Sequence, residues 1–141
     1  MPNKTTLPFK SRILLVEDET PVRIFAARAL RNKGYEVIEA DNGDTAIEAF
    51  NQHSGTIDLI ITDVVMPGMN GPKMIKALEE RSPERMKDAK VIFISGYAED
   101  AFIDTYGPSR EFNFLPKPFT LKQLAAKVKE VVDGHMLSTG D

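Results

Sequence analysis

Five short apolar runs, each followed by a stretch of different periodicity, leave this 141-residue chain few folding options. The runs are Arg12 to Val16, Tyr35 to Glu39, Leu59 to Thr62, Lys90 to Ser95 and Phe112 to Leu115. Runs this short, rich in Ile, Val and Phe, read as strands, and the near-continuous apolar ones read as buried on both faces. Tyr35 to Glu39 alternates apolar and charged residues, as a half-exposed edge strand does. Between the runs the period lengthens. Thr20-Pro21 offers a cap residue and a proline at a first helical position, so a helix is expected from there to about Lys33, where Gly34 ends it. Asn42-Gly43 is a turn signal, and Ala46, Ile47, Ala49 and Phe50 make the stripe of a second helix that fades at His53-Ser54-Gly55. A third is expected from about Gly71 to Arg81, closed by Ser82-Pro83 and followed by a charged loop. A short fourth is expected over Ala98 to Tyr106. A fifth, from Thr120 to Val132, is the most periodic, with Leu121, Leu124, Ala125, Val128, Val131 and Val132 on one stripe. Residues 1–10 read as a leader or linker, 11–133 as one domain and 134–141 as a polar tail.

Strands alternating with helices through short connections imply a parallel sheet covered on both faces. All its strands then end on one edge, where open α/β sheets bind ligands. The first strand delivers Glu17 and Asp18 there, the third Asp63, the fourth Ser95 and the fifth Lys117. Two carboxylates about 4 Å apart repel by roughly 4 kcal/mol at an effective dielectric near 20. Three together therefore raise a pKa or recruit a cation. Mg²⁺ suits such a set, because it takes oxygen ligands, keeps several waters and shares its shell with phosphate. With no Cys in the chain and no His near the cluster, zinc does not fit. Beside such an ion Asp63 can act as a carboxylate nucleophile toward a phosphoryl group. The ion, Lys117 and the Ser95 hydroxyl would neutralise and bind the phosphoryl oxygens. On its own, Asp63 could equally be a turn-capping residue.

Composition removes other classes of function. Eighteen basic residues are scattered against twenty-one acidic ones, a net charge of −3, which does not make a nucleic-acid-binding face. The first ten residues lack the apolar stretch of a signal peptide, and no run approaches the roughly 20 apolar residues of a membrane span. A cytoplasmic, monomeric domain is expected. His53 and His135 fall in a polar helix end and a polar tail, and read as solvated and silent.

The segments LLVEDE, ITDVVMPGMNG, FISGY and FLPKPF, in this order and spacing, resemble the receiver domain of bacterial two-component response regulators. The likeness runs from about Arg12 to Val132. The details of SGYAEDAF and FLPKPFTLKQLAAKVKEV are similar, more narrowly, to the receiver at the C-terminal end of a cell-cycle hybrid histidine kinase. The resemblance implies a flavodoxin-like, CheY-like sheet of order 2-1-3-4-5 and a phosphoacceptor at Asp63. It implies Mg²⁺ bound by Glu17, Asp18 and Asp63 and by the backbone carbonyl of Val65, with Glu17 acting mostly through water. Ser95 and Lys117 would bind the phosphoryl group, and the Lys117-Pro118 bond would be cis. Ser95 and Phe114 would form the switch pair, Phe114 having no hydroxyl. The implied partners are a histidine kinase or a histidine phosphotransferase, docking on Ile24, Pro118 and Phe119. Ile24 is expected outside the inward stripe of Val22, Ala26, Ala29 and Leu30, with Phe25 at its border. Val65 and Tyr97 border the approach to the phosphorus and would shield it from water. Such a domain catalyses its own phosphorylation and dephosphorylation, either within a hybrid kinase or alone. Glu17 stands where Asp is commoner in the family, and GPSREFN lacks the family's Gly-Ala pair. A flavodoxin-like nucleotide or flavin module would need a glycine-rich loop after the first strand, where EDET stands instead.

Overall fold

Leu14 and Val16 point to one side of a sheet while Ile13 and Leu15 point to the other, and this alternation divides the whole core in two. The computed structural model describes residues 11–53, 55–95 and 113–140, the side chains of Ser95 and of residues 134–140 excepted. The expectations for the leader, the 98–106 helix, Tyr97, the Ser95 hydroxyl and His135 lie outside the described residues. The strands are β1 (Arg12–Val16), β2 (Glu36–Ala40), β3 (Leu59–Asp63), β4 (Lys90–Ser95) and β5 (Asn113–Pro116). The helices are α1 (Thr20–Asn32), α2 (Gly43–Gln52), α3 (Gly71–Arg81), α4 (Pro83–Met86) and α5 (Leu121–Gly140). The strands pair in parallel in the order β2-β1-β3-β4-β5, the flavodoxin-like arrangement.

On one face Leu14, Val16, Ile60 and Phe93 pack against Ala46, Ile47 and Phe50 of α2 and Met74, Ile75 and Leu78 of α3. On the other, Ile13, Leu15, Leu59, Ile61, Ile92 and Ile94 pack against Ala26, Ala27 and Leu30 of α1 and Leu124 and Val128 of α5. β3 is buried at every residue, as its uninterrupted apolar run requires, whereas β2 and β5 lie at the edges and are only partly buried.

Local chemistry sets the boundaries. The side chains of Asn42 and Asn70 cap α2 and α3 by accepting from the backbone N–H groups of Thr45 and Lys73, at 2.8 and 2.9 Å. Gly34 ends α1 at φ +99°, and Gly68 sits at φ +79° after Pro67, where a turn needs a left-handed residue.

Four boundaries or faces differ from the sequence expectation. The residue at the N-terminal cap of α1 is Glu19 rather than Thr20, and it makes no side-chain cap bond because its carboxylate lies toward Lys117. The loop after α3 contains the helical turn α4, since Pro83 begins a new helix as well as closing the old one. α5 continues to Gly140, beyond the end of the apolar stripe. On α1 the buried residues are Ala26, Ala27 and Leu30, so Ala29 is only half-buried and Phe25 is exposed rather than at a border. His53, expected to be solvated, is half-buried with Nδ1 3.0 Å from the Ala49 carbonyl at the end of α2. Among the described residues no helix is long and apolar enough to cross a membrane.

Candidate functional site

The parallel register carries the ends of β1, β3 and β5 to one edge, and with them the acidic residues and the lysine picked out in the sequence. Glu17 follows β1, and its N–H donates to the Ala40 carbonyl at the end of β2, 3.0 Å away. Asp63 closes β3 opposite Ile94, and the next N–H, of Val64, donates to the Ile94 carbonyl at 3.0 Å. The chain turns through Pro67-Gly68 and returns so that the N–H of Gly71 donates to the Val64 carbonyl at 2.8 Å. A Cβ on Gly71 would collide with the carbonyl oxygen of Asp63, so a glycine is required for α3 to start this close to the strand end.

Glu17 and Asp63 are 1% and 3% exposed, and Asp18 is half-buried. Carboxylate oxygens of the three lie within 4.8 Å of one another. Lys117 reaches in from the end of β5, its Nζ 3.2 Å from Asp63 Oδ1 and 3.8 Å from both Glu17 Oε1 and Glu19 Oε1. Glu17 Oε2 accepts the N–H of Glu19 at 3.0 Å. Among the described residues, that leaves Glu17 Oε1 and Asp63 Oδ2 buried without a hydrogen-bond partner. Orphaned, buried carboxylate oxygens beside a third carboxylate suit a hard divalent cation, which takes oxygen ligands only.

Electrostatics agree with that reading. Burial, then the contact with Asp63, pushes the Glu17 carboxyl up to about 8. Burial also raises Asp63, against the lowering influence of Glu17 and Lys117. For Lys117 burial works downward, but the charges of Asp63 and Glu17 prevail and raise its pKa, so the ammonium stays charged.

The remaining expected residues fall around this cluster. Val65 is 73% exposed just beyond Asp63. β4 ends on Ser95, in register with Pro116. Phe114 is partly exposed on the edge strand, its ring centroid 6.2 Å from that of its partner in register, Phe93. The Lys117-Pro118 bond is cis, as the resemblance implied. Beside the cluster opens a groove of about 950 Å³ lined by Glu19, Val22, Phe25, Lys117, Pro118, Phe119, Thr120 and Leu121. Pro118 and Phe119 were expected on such a surface. Ile24, though 45% exposed, does not line it, while Phe25, 57% exposed, and Leu121 do. Glu19 belongs to the site as well, and its place in the Glu17-Asp18-Glu19 run was the available signal.

Comparison with known proteins gives a consistent picture. A family model described as the response regulator receiver domain matches residues 13–129. The chain is 46% identical over 129 residues to sensor kinase CckA of Brucella abortus (strain 2308), an alignment covering 92% of this chain but 13% of that protein. It is 35% identical over 121 residues to the response regulator receiver protein CpdR of the same organism, covering 86% of this chain and 96% of CpdR. The crystal structure of the receiver domain from hybrid histidine kinase CckA matches with a TM-score of 0.66 at 45% identity, covering 85% of this chain and 97% of that one.

Proposed function

This chain belongs to the response regulator receiver domain family, and from that premise we propose that it carries a phosphoryl group on Asp63. The donor is a phosphohistidine of a histidine kinase or histidine phosphotransferase. An Asp63 carboxylate oxygen attacks the phosphorus, the P–O bond forms as the P–N bond breaks, and the departing imidazole nitrogen keeps the electron pair, to be protonated from solvent. Lys117, held charged by its carboxylate neighbours, neutralises a phosphoryl oxygen, and the Ser95 hydroxyl takes another. Glu17, Asp18, Asp63 and the Val65 carbonyl would hold Mg²⁺, which when bound offsets the negative charge of the phosphoryl group.

The observation that carries this reading is the pairing of Asp63 Oδ1 with Lys117 while Oδ2, buried beside two more acids, has no hydrogen-bond partner among the described residues. Intact mass after incubation with acetyl phosphate tests it. One phosphoryl group is expected in the presence of Mg²⁺, none in its absence and none on Asp63→Asn. A Mg²⁺-dependent adduct on Asp63→Asn would end the assignment.

We further infer a hybrid-kinase relay, supported by the 46% identity to CckA across nearly the whole chain. The stand-alone alternative has its own support in the end-to-end match with CpdR. The docking surface is the groove beside Lys117, with Phe25 and Leu121 joining Pro118 and Phe119, while Ile24 is not among the residues that line it. Phe114 responds to phosphorylation through ring position alone. Val65 can neither orient nor deprotonate a water, and with Tyr97 it makes hydrolysis slow. Val65→Asn and Tyr97→Ala should each speed loss of phosphate from the Mg²⁺-bound protein, and a parent that loses it as fast as the double substitution rules shielding out.

A further inference from the structure

Arg23 lies on α1, outside the acidic cluster, and is joined to it by one bond. Its Nη1 donates to the backbone carbonyl of Glu17 at 2.9 Å, and its Nε donates to Glu39 Oε1 on β2 at 3.3 Å. Glu39 is held in turn from a second residue of α1, since Arg31 Nη1 donates to Oε2 at 3.0 Å and Arg31 Nη2 to the Val37 carbonyl at 2.9 Å. The Arg23 side chain is only 17% exposed, well below the 49% of Arg31, so its two bonds are sheltered from water.

The position of the first bond is what matters. The Glu17 N–H is fixed by the Ala40 carbonyl and its carboxylate by the Glu19 N–H. The Glu17 carbonyl opens the peptide that leads to Asp18, and Arg23 takes hold of it. We propose that Arg23, braced by Glu39, is a positioning residue that sets the Glu17-Asp18 peptide and thereby the separation of the two carboxylates that follow β1 from Asp63. The role is geometric, because the bond is made to the backbone carbonyl of Glu17 and not to its carboxylate. It needs the planar guanidinium, whose separate N–H groups span Glu39 and the carbonyl in fixed directions. A lysine ammonium keeps the charge but lacks that fork. The inference rests on the proposed role of Glu17 and Asp18 as Mg²⁺ ligands.

Three measurements on Arg23→Gln, Arg23→Lys and Glu39→Gln test it. In metal-free protein the Glu19 amide should exchange with solvent about tenfold faster in both Arg23 variants, while the amides of β3 keep the parent's rates. Calorimetric titration should show Mg²⁺ binding weakened about tenfold in both Arg23 variants, and less in Glu39→Gln, the range expected when a group behind a metal ligand is lost. Saturating Mg²⁺ should then restore the parent's rate with acetyl phosphate in the variants but not in Asp63→Asn. Should Arg23→Gln fail to fold, Arg23→Lys and Glu39→Gln carry the test. Unchanged exchange at Glu19, or unchanged Mg²⁺ affinity in Arg23→Lys, overturns the proposal. A parent that does not bind Mg²⁺ refutes the metal reading of the site instead, and exchange at Glu19 still decides whether Arg23 sets the loop.

Discussion

Glu17 is a carboxylic acid at 1% exposure whose carboxylate, among the described residues, pairs with Lys117, a cation shared with Asp63 and Glu19. Its pKa of about 8 in the fold, against an ordinary 4.5, fixes the sign of a pH effect. Between those values the metal-free native state keeps a proton that the unfolded chain has released, so stability falls as pH rises through the window. The raised Asp63 acts in the same sense. The raised Lys117 contributes stability that is lost only above its ordinary 10.5, outside the window. Thermal melts without metal should therefore show a lower Tm near pH 8 than near pH 5.5. Glu17→Gln should flatten the difference, and Mg²⁺ should raise Tm most at the higher pH. An unchanged slope in Glu17→Gln would locate the effect elsewhere. At this scale the site's acids and lysine were legible, because a parallel sheet sends every strand end to one edge and the apolar runs mark where strands end. Arg23 was not. A guanidinium that grips a backbone carbonyl six positions earlier leaves no trace in periodicity, and on paper it is one more helix charge.

α3 and α4 show how elements hold the site and each other. α3 begins against the Asp63 carbonyl, so Gly71→Ala forces helix and strand apart. A loss of about 1–3 kcal/mol in urea melts is expected, the usual cost of overpacking, with slower phosphorylation by acetyl phosphate because Asp63 shifts. α4 acts at the opposite edge of the sheet. Arg85 donates to the carbonyls of Phe50 and His53 at 2.7 Å and of Gly55 at 3.2 Å, and its guanidinium lies 4.1 Å over the Phe50 ring. Arg85→Ala should cost about 2 kcal/mol by loss of these charge-assisted bonds, and should leave the phosphorylation rate unchanged. Equal loss of activity in both variants would mean that the site responds to global stability alone. Four of the five helices found among the described residues were visible as stripes with punctuation. α4 was not, since four residues are too few to express a period and its opening Ser82-Pro83 reads as a stop. The length of α5 was missed because its apolar stripe ends before its backbone does.

Across the whole molecule, the proposed function divides chemistry and recognition between the strand ends and the groove beside them. The acids follow the inner strands β1 and β3, and the groove beside them is walled by α1 and the start of α5. Phe25→Asp should slow transfer from a phosphohistidine donor at least tenfold, since a charge then replaces an exposed aromatic ring on the proposed docking face. Phosphorylation by acetyl phosphate should stay at the parent's rate, because Phe25 is neither one of the three clustered acids nor the lysine paired with Asp63. If both rates fall together, the groove is part of the chemical site and not a docking surface. The sequence reading put Pro118 and Phe119 beside Lys117, and both line the groove. It misjudged Phe25, because a helix whose buried residues include two alanines offers its largest apolar side chain no room inside.

The inner strands β1 and β3 are apolar and almost wholly buried, so their substitution is penalised whatever the partner. Ile24, Phe25 and Leu121 lie on the surface, where a change usually alters stability by within about 0.5 kcal/mol. Under the proposed function, the surface that meets a partner can therefore be altered without disturbing the buried strands that hold the acids.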